Sequence, residues 1–221
     1  MPGSPAVGVV IPARNALRFI DEAIGSVLRQ TVAVSEIVMV DDGSQDDTAA
    51  HVERLHPQVR VLRQAPGGAA SARNAGIRAT TSPFLAFLDA DDVWLPDKLA
   101  LQLALPGIVE GCAMAFGHCI EFSDPPSAYP IRPDPMPAPS LSALLIARSA
   151  FLDIGFLDES LPIGELLEWL SRPASTRVRQ ETVTQTVFHR RVHSANSTRL
   201  TPHRASTYLK ILRARHRSLM A

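Results

Sequence analysis

Short continuous runs of aliphatic residues alternate, in the first half of the chain, with segments whose apolar positions recur every three or four residues. The first pattern is typical of strands buried on both faces, and the second is typical of helices with one apolar face. The runs predict strands over 7–11, 36–40, 59–62 and 84–88. The spaced segments predict helices over 18–30, 46–55 and 71–79, the last with Ser71 as its N-cap. This alternation indicates an α/β fold with a mostly parallel, doubly wound sheet and helices on both faces.

The pattern is less regular after residue 96. It predicts helices over 97–105, 142–154 and 164–170, strands over 113–122 and 177–189, and a final helix over 202–220. The proline-rich stretch 123–139 is expected to be a surface loop, which could serve as a lid or an acceptor-binding loop, or be a plain connection. The length of 221 residues fits one sizeable core. We expect a single domain over 1–200, made of the halves 7–105 and 106–200, followed by a basic helix over 201–221.

Composition and charge narrow the class of protein. Hydrophobic residues make up 46% of the chain and charged residues 20%, which is normal for a globular protein. The formal net charge of +0 gives no sign of a polyanionic partner, so we expect no nucleic acid. The charges are unevenly placed, because residues 172–221 contain eleven Lys or Arg and one acid, Glu181. Such a tail suits a diphosphate or an anionic membrane surface, or is a solvated helix packed on an acidic body.

Other features bear on the compartment. The two cysteines, Cys112 and Cys119, lack metal-like spacing and are expected to be buried, reduced thiols. The sequence has no long apolar stretch and no signal-like start, so we expect a cytoplasmic protein. The predicted helix over 202–220 mixes apolar and basic residues. It would suit a peripheral contact with the inner membrane face, a homodimer contact, or docking on the protein's own body.

Polar clusters follow three of the predicted strands. They are Pro12-Ala13-Arg14-Asn15, Asp41-Asp42-Gly43-Ser44 and Asp89-Ala90-Asp91-Asp92. In open α/β sheets, ligands bind outside the carboxyl ends of the strands, so these clusters are expected to share one site. Asp89 and Asp91 can point into one cleft, where a Mg²⁺ or Mn²⁺ ion would relieve their repulsion. Alternatively, these acids cap the start of a helix.

The other two signals are weaker on their own. Asp41 and Asp42 form a tight turn with Gly43, and either acid could accept a hydrogen bond from a base or a ribose, or simply complete the turn. The Gly67-Gly68 stretch leads into a helix that carries Arg73, whose guanidinium could face a phosphate. The spacing matches neither a Walker loop nor a dinucleotide fingerprint, which argues against an ATPase or a dehydrogenase.

Four stretches, taken in order, resemble those of family 2 GT-A-type glycosyltransferases. They are Val-Ile-Pro-Ala-Arg-Asn, Val-Asp-Asp-Gly-Ser-Gln-Asp-Asp-Thr, Ala-Arg-Asn-Ala-Gly and Phe-Leu-Asp-Ala-Asp-Asp. The resemblance is close over 7–105 and looser over 142–172 and 190–193. It implies a GT-A fold and an inverting transfer of a sugar from a nucleoside diphosphate, UDP by default, with Mn²⁺ or Mg²⁺. The acceptor is not identified by it, and a saccharide or a lipid-linked acceptor would fit.

The resemblance also implies roles for single residues. Asp91 would bind the divalent ion, and Asp89 would contact the ribose or the metal. His193 follows Arg190 and Arg191 in a late basic segment that would fold over the diphosphate, where it could join the metal site, or else it is a surface histidine. The residues expected to bind the nucleotide and the donor are Pro12, Ala13, Arg14, Asn15, Asp41, Asp42, Arg73, Asp89 and Ala90.

One position departs from the family pattern. Members carry Gly-Glu-Asp, whose Asp deprotonates the acceptor, whereas this chain has Gly164-Glu165-Leu166. Leucine cannot accept a proton, so Glu165 and Glu168 are the nearest candidate bases, unless they are surface or capping acids. The chain is therefore expected to be either a transferase or a catalytically impaired nucleotide-sugar-binding protein. A nucleotidyltransferase fits less well, because the first strand is not followed by a glycine-rich phosphate loop.

Overall fold

The computed structural model describes residues 5–172, 178–196 and 208–209. The first four strands are β1 Val7–Ala13, β2 Glu36–Asp42, β3 Arg60–Gln64 and β4 Phe84–Phe87. They are parallel and form the first part of the sheet, in the order β3-β2-β1-β4. The helices that connect them are α1 Ile20–Leu28, α2 Thr48–Leu55 and α3 Ala69–Ala79. The predicted alternation of strands and helices is confirmed over this part of the chain.

The sheet then continues with strands from the second half. These strands are β5 Val93–Trp94, β6 Ala113–Ser123, β7 Met136–Ala138, β8 Leu145–Ala147 and β9 Arg179–Val192. Beyond β4 the order in the sheet is β8-β6-β9-β5, and β7 pairs with β6. β8 is antiparallel to both β4 and β6, whereas β9 is parallel to β6. The remaining helices are α4 Lys98–Leu103, α5 Pro106–Val109, α6 Arg148–Ile154 and α7 Glu165–Leu170. The result is a mixed α/β fold.

The expected helix over 142–154 is wrong in its first half. That segment forms a short 3₁₀ helix at Leu141–Ala143, then strand β8, and only then helix α6. Leu144, Leu145 and Ile146 are fully buried. A short continuous apolar run fits a buried strand and a buried helix equally well, so periodicity could not separate the two. The segment becomes a strand because it pairs with β4 on one side and with β6 on the other.

Three smaller expectations are also corrected. Helix α3 begins at Ala69, so Ser71 lies inside it, and the cap position is held by Gly68 with φ of 89°. That positive φ is accessible to glycine at little cost, which explains why the helix begins earlier than expected. The stretch 123–139 is not all loop, since it contains β7. Cys119 is buried as expected, but Cys112 is only partly buried, and both thiols are free.

The core lies on both sides of β1 and β4, whose side chains are almost all buried. Helix α3 packs closely on β1, because a Cβ atom at Gly76 would lie 2.3 Å from Cγ1 of Val10. This close approach sets the position of Arg73, one turn earlier on α3. The predicted basic helix over 202–220 falls outside the described residues except at 208–209. Within the part of the chain that the structure describes, no helix is long and apolar enough to cross a membrane.

Candidate donor site

The turns after β1 and β2 are hydrogen-bonded to each other. The amide of Asn15 donates to Oγ of Ser44 at 2.9 Å, and the amide of Gln45 donates to Oδ1 of Asn15 at 2.7 Å. Asn15 adopts a positive φ of 51°, a conformation that asparagine tolerates better than most residues. Arg14 is exposed beside it. Two of the predicted clusters therefore lie together at the carboxyl edge of the sheet.

Asp41 and Asp42 have different surroundings although they are neighbours. Successive strand residues point to opposite faces, which separates their carboxylates. The Asp42 carboxylate accepts hydrogen bonds from the amides of Gly67 and Gly68, at 2.7 and 2.8 Å, and from Nε2 of Gln64 at 2.9 Å. Asp41 is 6% exposed, and its Oδ1 has no partner among the described residues. Asp42 thus fixes the glycine loop, while Asp41 keeps a buried acceptor.

Arg73 joins three elements at the centre of the site. Its side chain is buried and donates to Oδ1 of Asp89 at 2.5 Å and to Oε1 of Glu165 at 2.7 Å. Burial alone would lower the pKa of Arg73, but the two carboxylates outweigh it and raise that pKa. The guanidinium therefore stays charged and ties α3 to the acidic turn after β4 and to the start of α7. It lies close to the expected donor site, although its terminal nitrogens are engaged by protein carboxylates.

Asp91 is held by a different group of side chains. Nε2 of His193 lies 2.8 Å from Oδ2 of Asp91, and Nδ2 of Asn196 donates to the same oxygen at 3.0 Å. Oδ1 of Asn196 in turn accepts from the backbone amide of His193 at 2.7 Å. The imidazole also packs against the ring of Phe19, with 4.7 Å between centroids. His193 is therefore a buried residue of the site, not a histidine on a surface loop.

Asp92 is buried directly behind these two acids. Its carboxylate accepts from Oγ of Ser142 at 2.8 Å and from the backbone amide of Arg191 at 3.1 Å. Burial, followed by the negative charges of Asp91 and Asp89, raises the pKa of Asp92 well above its ordinary value. Asp92 therefore connects the acidic turn to the end of β9 and to the 3₁₀ helix before β8.

The donor atoms near Asp91 suit a hard divalent ion. A carboxylate oxygen and an imidazole nitrogen lie together at a partly exposed position, and both are ligands that Mn²⁺ accepts. Asp89 points instead to Arg73. Among the described residues, no three His, Cys, Asp or Glu side chains form a group that could hold a metal ion alone. Asp91 and His193 fit an ion whose other ligands come from phosphate oxygens and water.

The candidate bases on α7 differ in their positions. Glu165 lies at the site, where it is paired with Arg73. Glu168 is buried and pairs with Arg172 at 2.8 Å. Leu166 packs against the apolar core. The three side chains thus have different partners, and of the two acids Glu165 is the one that shares Arg73 with Asp89.

Two residues of the site, Asn196 and Ser142, have no local signal in the sequence. They bond Asp91 and Asp92 from 105 and 50 positions away along the chain. Arg191 belongs to the expected basic segment, but its contact with Asp92 is made by its backbone amide. Asn74, the neighbour of Arg73 on α3, bonds the backbone of Leu157 through its side chain at 2.9 and 3.1 Å. It anchors the segment that leads to α7.

Comparison with known proteins gives a family and a fold. Residues 8–156 match the model of glycosyl transferase family 2. The "Uncharacterized glycosyltransferase RP339" of Rickettsia prowazekii is 31% identical over 175 residues, which cover 72% of this chain and 55% of that protein. The UDP-Glc:alpha-D-GlcNAc-diphosphoundecaprenol beta-1,3-glucosyltransferase WfgD of Escherichia coli is 38% identical over 101 residues, 45% of this chain and 40% of that enzyme. The chain thus spans about half or less of the length of these relatives.

A solved structure extends the likeness to nearly the whole chain. S. aureus TarS 1-349 in complex with UDP-GlcNAc superposes with a TM-score of 0.73, and the match covers 95% of this chain and 65% of that one. The two sequences are 16% identical, so this likeness concerns the fold alone. It confirms the expected GT-A architecture.

Proposed function

The chain belongs to glycosyl transferase family 2, and on that premise we propose that it transfers a sugar from a nucleoside diphosphate to an acceptor hydroxyl, with inversion at the anomeric carbon. The observation that carries the proposal is the placement of Asp41, Asp89, Asp91 and His193 along one edge of the sheet. A relative acts on UDP-Glc, and TarS binds UDP-GlcNAc, as their names state. UDP is therefore the first nucleotide to test here.

Asp41 is the best candidate for contact with the nucleotide. Its Oδ1 is buried and has no partner among the described residues, which is costly unless a ligand supplies a donor. A base N–H or a ribose hydroxyl would fill that role. Asp42 is better suited to a supporting part, because the amides of Gly67 and Gly68 already occupy its oxygens. Arg14 and Asn15 would complete the pocket at the ends of β1 and β2.

Asp91 and His193 would hold a Mn²⁺ or Mg²⁺ ion, which would offset the charge that grows on the leaving diphosphate. The two groups lie on separate elements but are already in contact. Arg73 would support the site indirectly, because its ion pairs hold Asp89 and Glu165 in fixed positions. The acceptor hydroxyl would approach from the side of the sugar opposite the diphosphate.

Glu165 is the acid best placed to take the acceptor's proton. Its Oε1 is already paired with Arg73, so Glu165 would have to leave or share that contact in order to reach an acceptor hydroxyl. A well-matched general base contributes about 10²–10⁴-fold to a rate. We therefore expect slow transfer, in which positioning and charge stabilisation supply most of the rate enhancement.

Leu166 supports a second candidate function. It packs against the apolar core where the family carries its Asp, and Glu168 is held by Arg172. A chain with a complete donor pocket but no strong base would serve as a nucleotide-sugar-binding protein. This candidate requires donor binding without product for any acceptor.

Calorimetric titration tests the donor site. UDP, GDP and dTDP are titrated into the protein with and without Mn²⁺, alongside the Asp91→Asn variant and the Asp153→Asn control, a change on the exposed surface of α6. We expect one nucleotide to bind more tightly with Mn²⁺, and Asp91→Asn to abolish that gain. If the folded protein binds none of the three, the proposed function is wrong. If one nucleotide binds, the corresponding nucleotide sugar is tested with a panel of saccharide and lipid-linked acceptors. Product formation would identify a transferase, and donor binding without any product would identify a binding protein.

A further inference from the structure

We propose that Arg191 is a positioning residue that fixes Asp91 and His193 relative to each other and so sets the affinity of the site for a divalent ion. The inference rests on the proposed function and adds a residue to it. The resemblance suggested that the basic segment around Arg191 would fold over the diphosphate. The side chain points the other way, into the protein, and is 6% exposed.

The guanidinium links three parts of the chain. Nε donates to the backbone oxygen of Asp91 at 2.9 Å. One terminal nitrogen donates to Oδ2 of Asp124 at 2.9 Å, just after β6, and the other donates to Glu22 on α1. Each of its three nitrogens donates to the protein and the side chain is 6% exposed, so Arg191 acts through its neighbours and not by direct contact with a ligand.

The backbone of Arg191 completes the connection. Its amide donates to Oδ1 of Asp92 at 3.1 Å, and its carbonyl oxygen accepts from Asn196 at 3.2 Å. Asn196 also bonds Asp91, and His193 lies two residues further along the chain from Arg191. The acidic turn and the end of β9 are therefore joined by several hydrogen bonds that converge on one residue.

Two aromatic rings restrict the guanidinium further. Its central carbon lies 4.9 Å from the ring centroid of Phe19 and 4.5 Å from that of Phe122. Phe19 also contacts the His193 ring, so the same ring supports both residues. A planar, delocalised cation can stack on aromatic rings and still donate in three directions, whereas a lysine ammonium is a compact charge with one nitrogen. A lysine at position 191 would keep the positive charge but could not make the three separate hydrogen bonds of the guanidinium.

The test compares three variants of the full chain. Arg191→Lys removes the three-way contact, and Glu22→Gln weakens a single contact at a half-exposed acid. Arg179→Lys is the matched control, because it makes the same substitution on the same strand, at its exposed far end. Mn²⁺ binding is followed by the electron paramagnetic resonance signal of free Mn²⁺ with UDP present, and folding is followed by circular dichroism and thermal unfolding.

We expect Arg191→Lys to weaken Mn²⁺ binding by about 10- to 100-fold, the usual effect of removing a group that orients metal ligands. UDP binding without metal should change little, Glu22→Gln should give a smaller loss of Mn²⁺ affinity, and Arg179→Lys none. If both site variants melt earlier but bind Mn²⁺ like the unmodified chain, the role of Arg191 is only structural and the inference is wrong. Should Arg191→Lys not fold, Glu22→Gln alone decides between these outcomes. If the unmodified chain binds neither Mn²⁺ nor UDP, the proposed function fails, and this inference fails with it.

Discussion

Replacing Leu166 by aspartate should accelerate sugar transfer. The change introduces a carboxylate at the position where family members carry their base. Leu166 is partly buried and packs against the apolar core. Since full burial of a leucine contributes about 1.5–3 kcal/mol, the loss of this partial burial should cost roughly 1 kcal/mol. Typical domains unfold with about 5–15 kcal/mol, so the variant should remain folded.

The cost to stability should not reduce the gain in rate, because the folded fraction of the variant stays close to one. A well-placed general base is worth about 10²–10⁴-fold in rate, or roughly 3–5 kcal/mol of barrier. The assay measures UDP release from UDP-sugars, with and without a panel of acceptors, at saturating Mn²⁺. Leu166→Asn is the matched control, because it has the same shape as aspartate but cannot take a proton at neutral pH. Leu167→Asp places the same acid one position further along α7.

The result depends on which variants respond. Faster turnover in Leu166→Asp alone would identify the missing base as the cause of slow transfer. Equal rates in Leu166→Asp, Leu166→Asn and the unmodified chain, all folded and all able to bind UDP, would refute the reasoning. They would mean that the proton leaves by another route, or that this chain does not perform transfer.

Two further predictions concern other buried polar groups. Asp41→Asn should weaken UDP binding about 10-fold with or without Mn²⁺, since it replaces a carboxylate acceptor, worth about 1.5–3 kcal/mol, by a neutral amide oxygen, worth about 0.5–1.5 kcal/mol. Asp42→Asn should instead lower the thermal midpoint, because it disturbs the glycine loop; equal calorimetric losses of affinity in both variants would contradict this division. Burial lowers the pKa of Lys98 well below 10.5, so the unfolded chain binds more protons and stability should rise with pH between that lowered pKa and 10.5. Urea titrations at several pH values measure this rise in the free energy of unfolding, and Lys98→Met should abolish it. An unchanged dependence on pH in the variant would show that Lys98 is not its cause.

The sequence predicted the first part of the fold well because the signals there are local. Strands β1, β2 and β4 are continuous apolar runs followed by polar turns, so both their type and their functional ends could be anticipated. Strand β8 is equally apolar, but it is three residues long and its neighbours come from distant parts of the chain. It forms a strand because it pairs with β4 and β6, and this pairing cannot be predicted from the sequence of the segment itself.

The site shows the same division between local and long-range information. The sequence indicated that Asp41 and Asp42 belong to a polar turn, but it could not say which one keeps a free oxygen. That difference arises from Gly67 and Gly68, whose amides reach only one of the two carboxylates. Arg191 was noticed only as part of a basic segment. Its inward direction depends on contacts with the distant Glu22 and Asp124.

The acids of the turn after β4 are compensated in three different ways, and this difference bears on where a metal would bind. Asp89 faces the fixed cation of Arg73, so a second cation there would be repelled. Asp92 is buried and already accepts two hydrogen bonds, so it offers little room for an ion. Asp91 is more exposed than Asp92, and its partners are an imidazole and an amide, neither of which carries a fixed positive charge. In the proposed site a divalent ion would therefore bind at Asp91, and an arriving nucleoside diphosphate would add oxygen ligands to those of Asp91 and His193. Metal and nucleotide should consequently bind together more tightly than either binds alone.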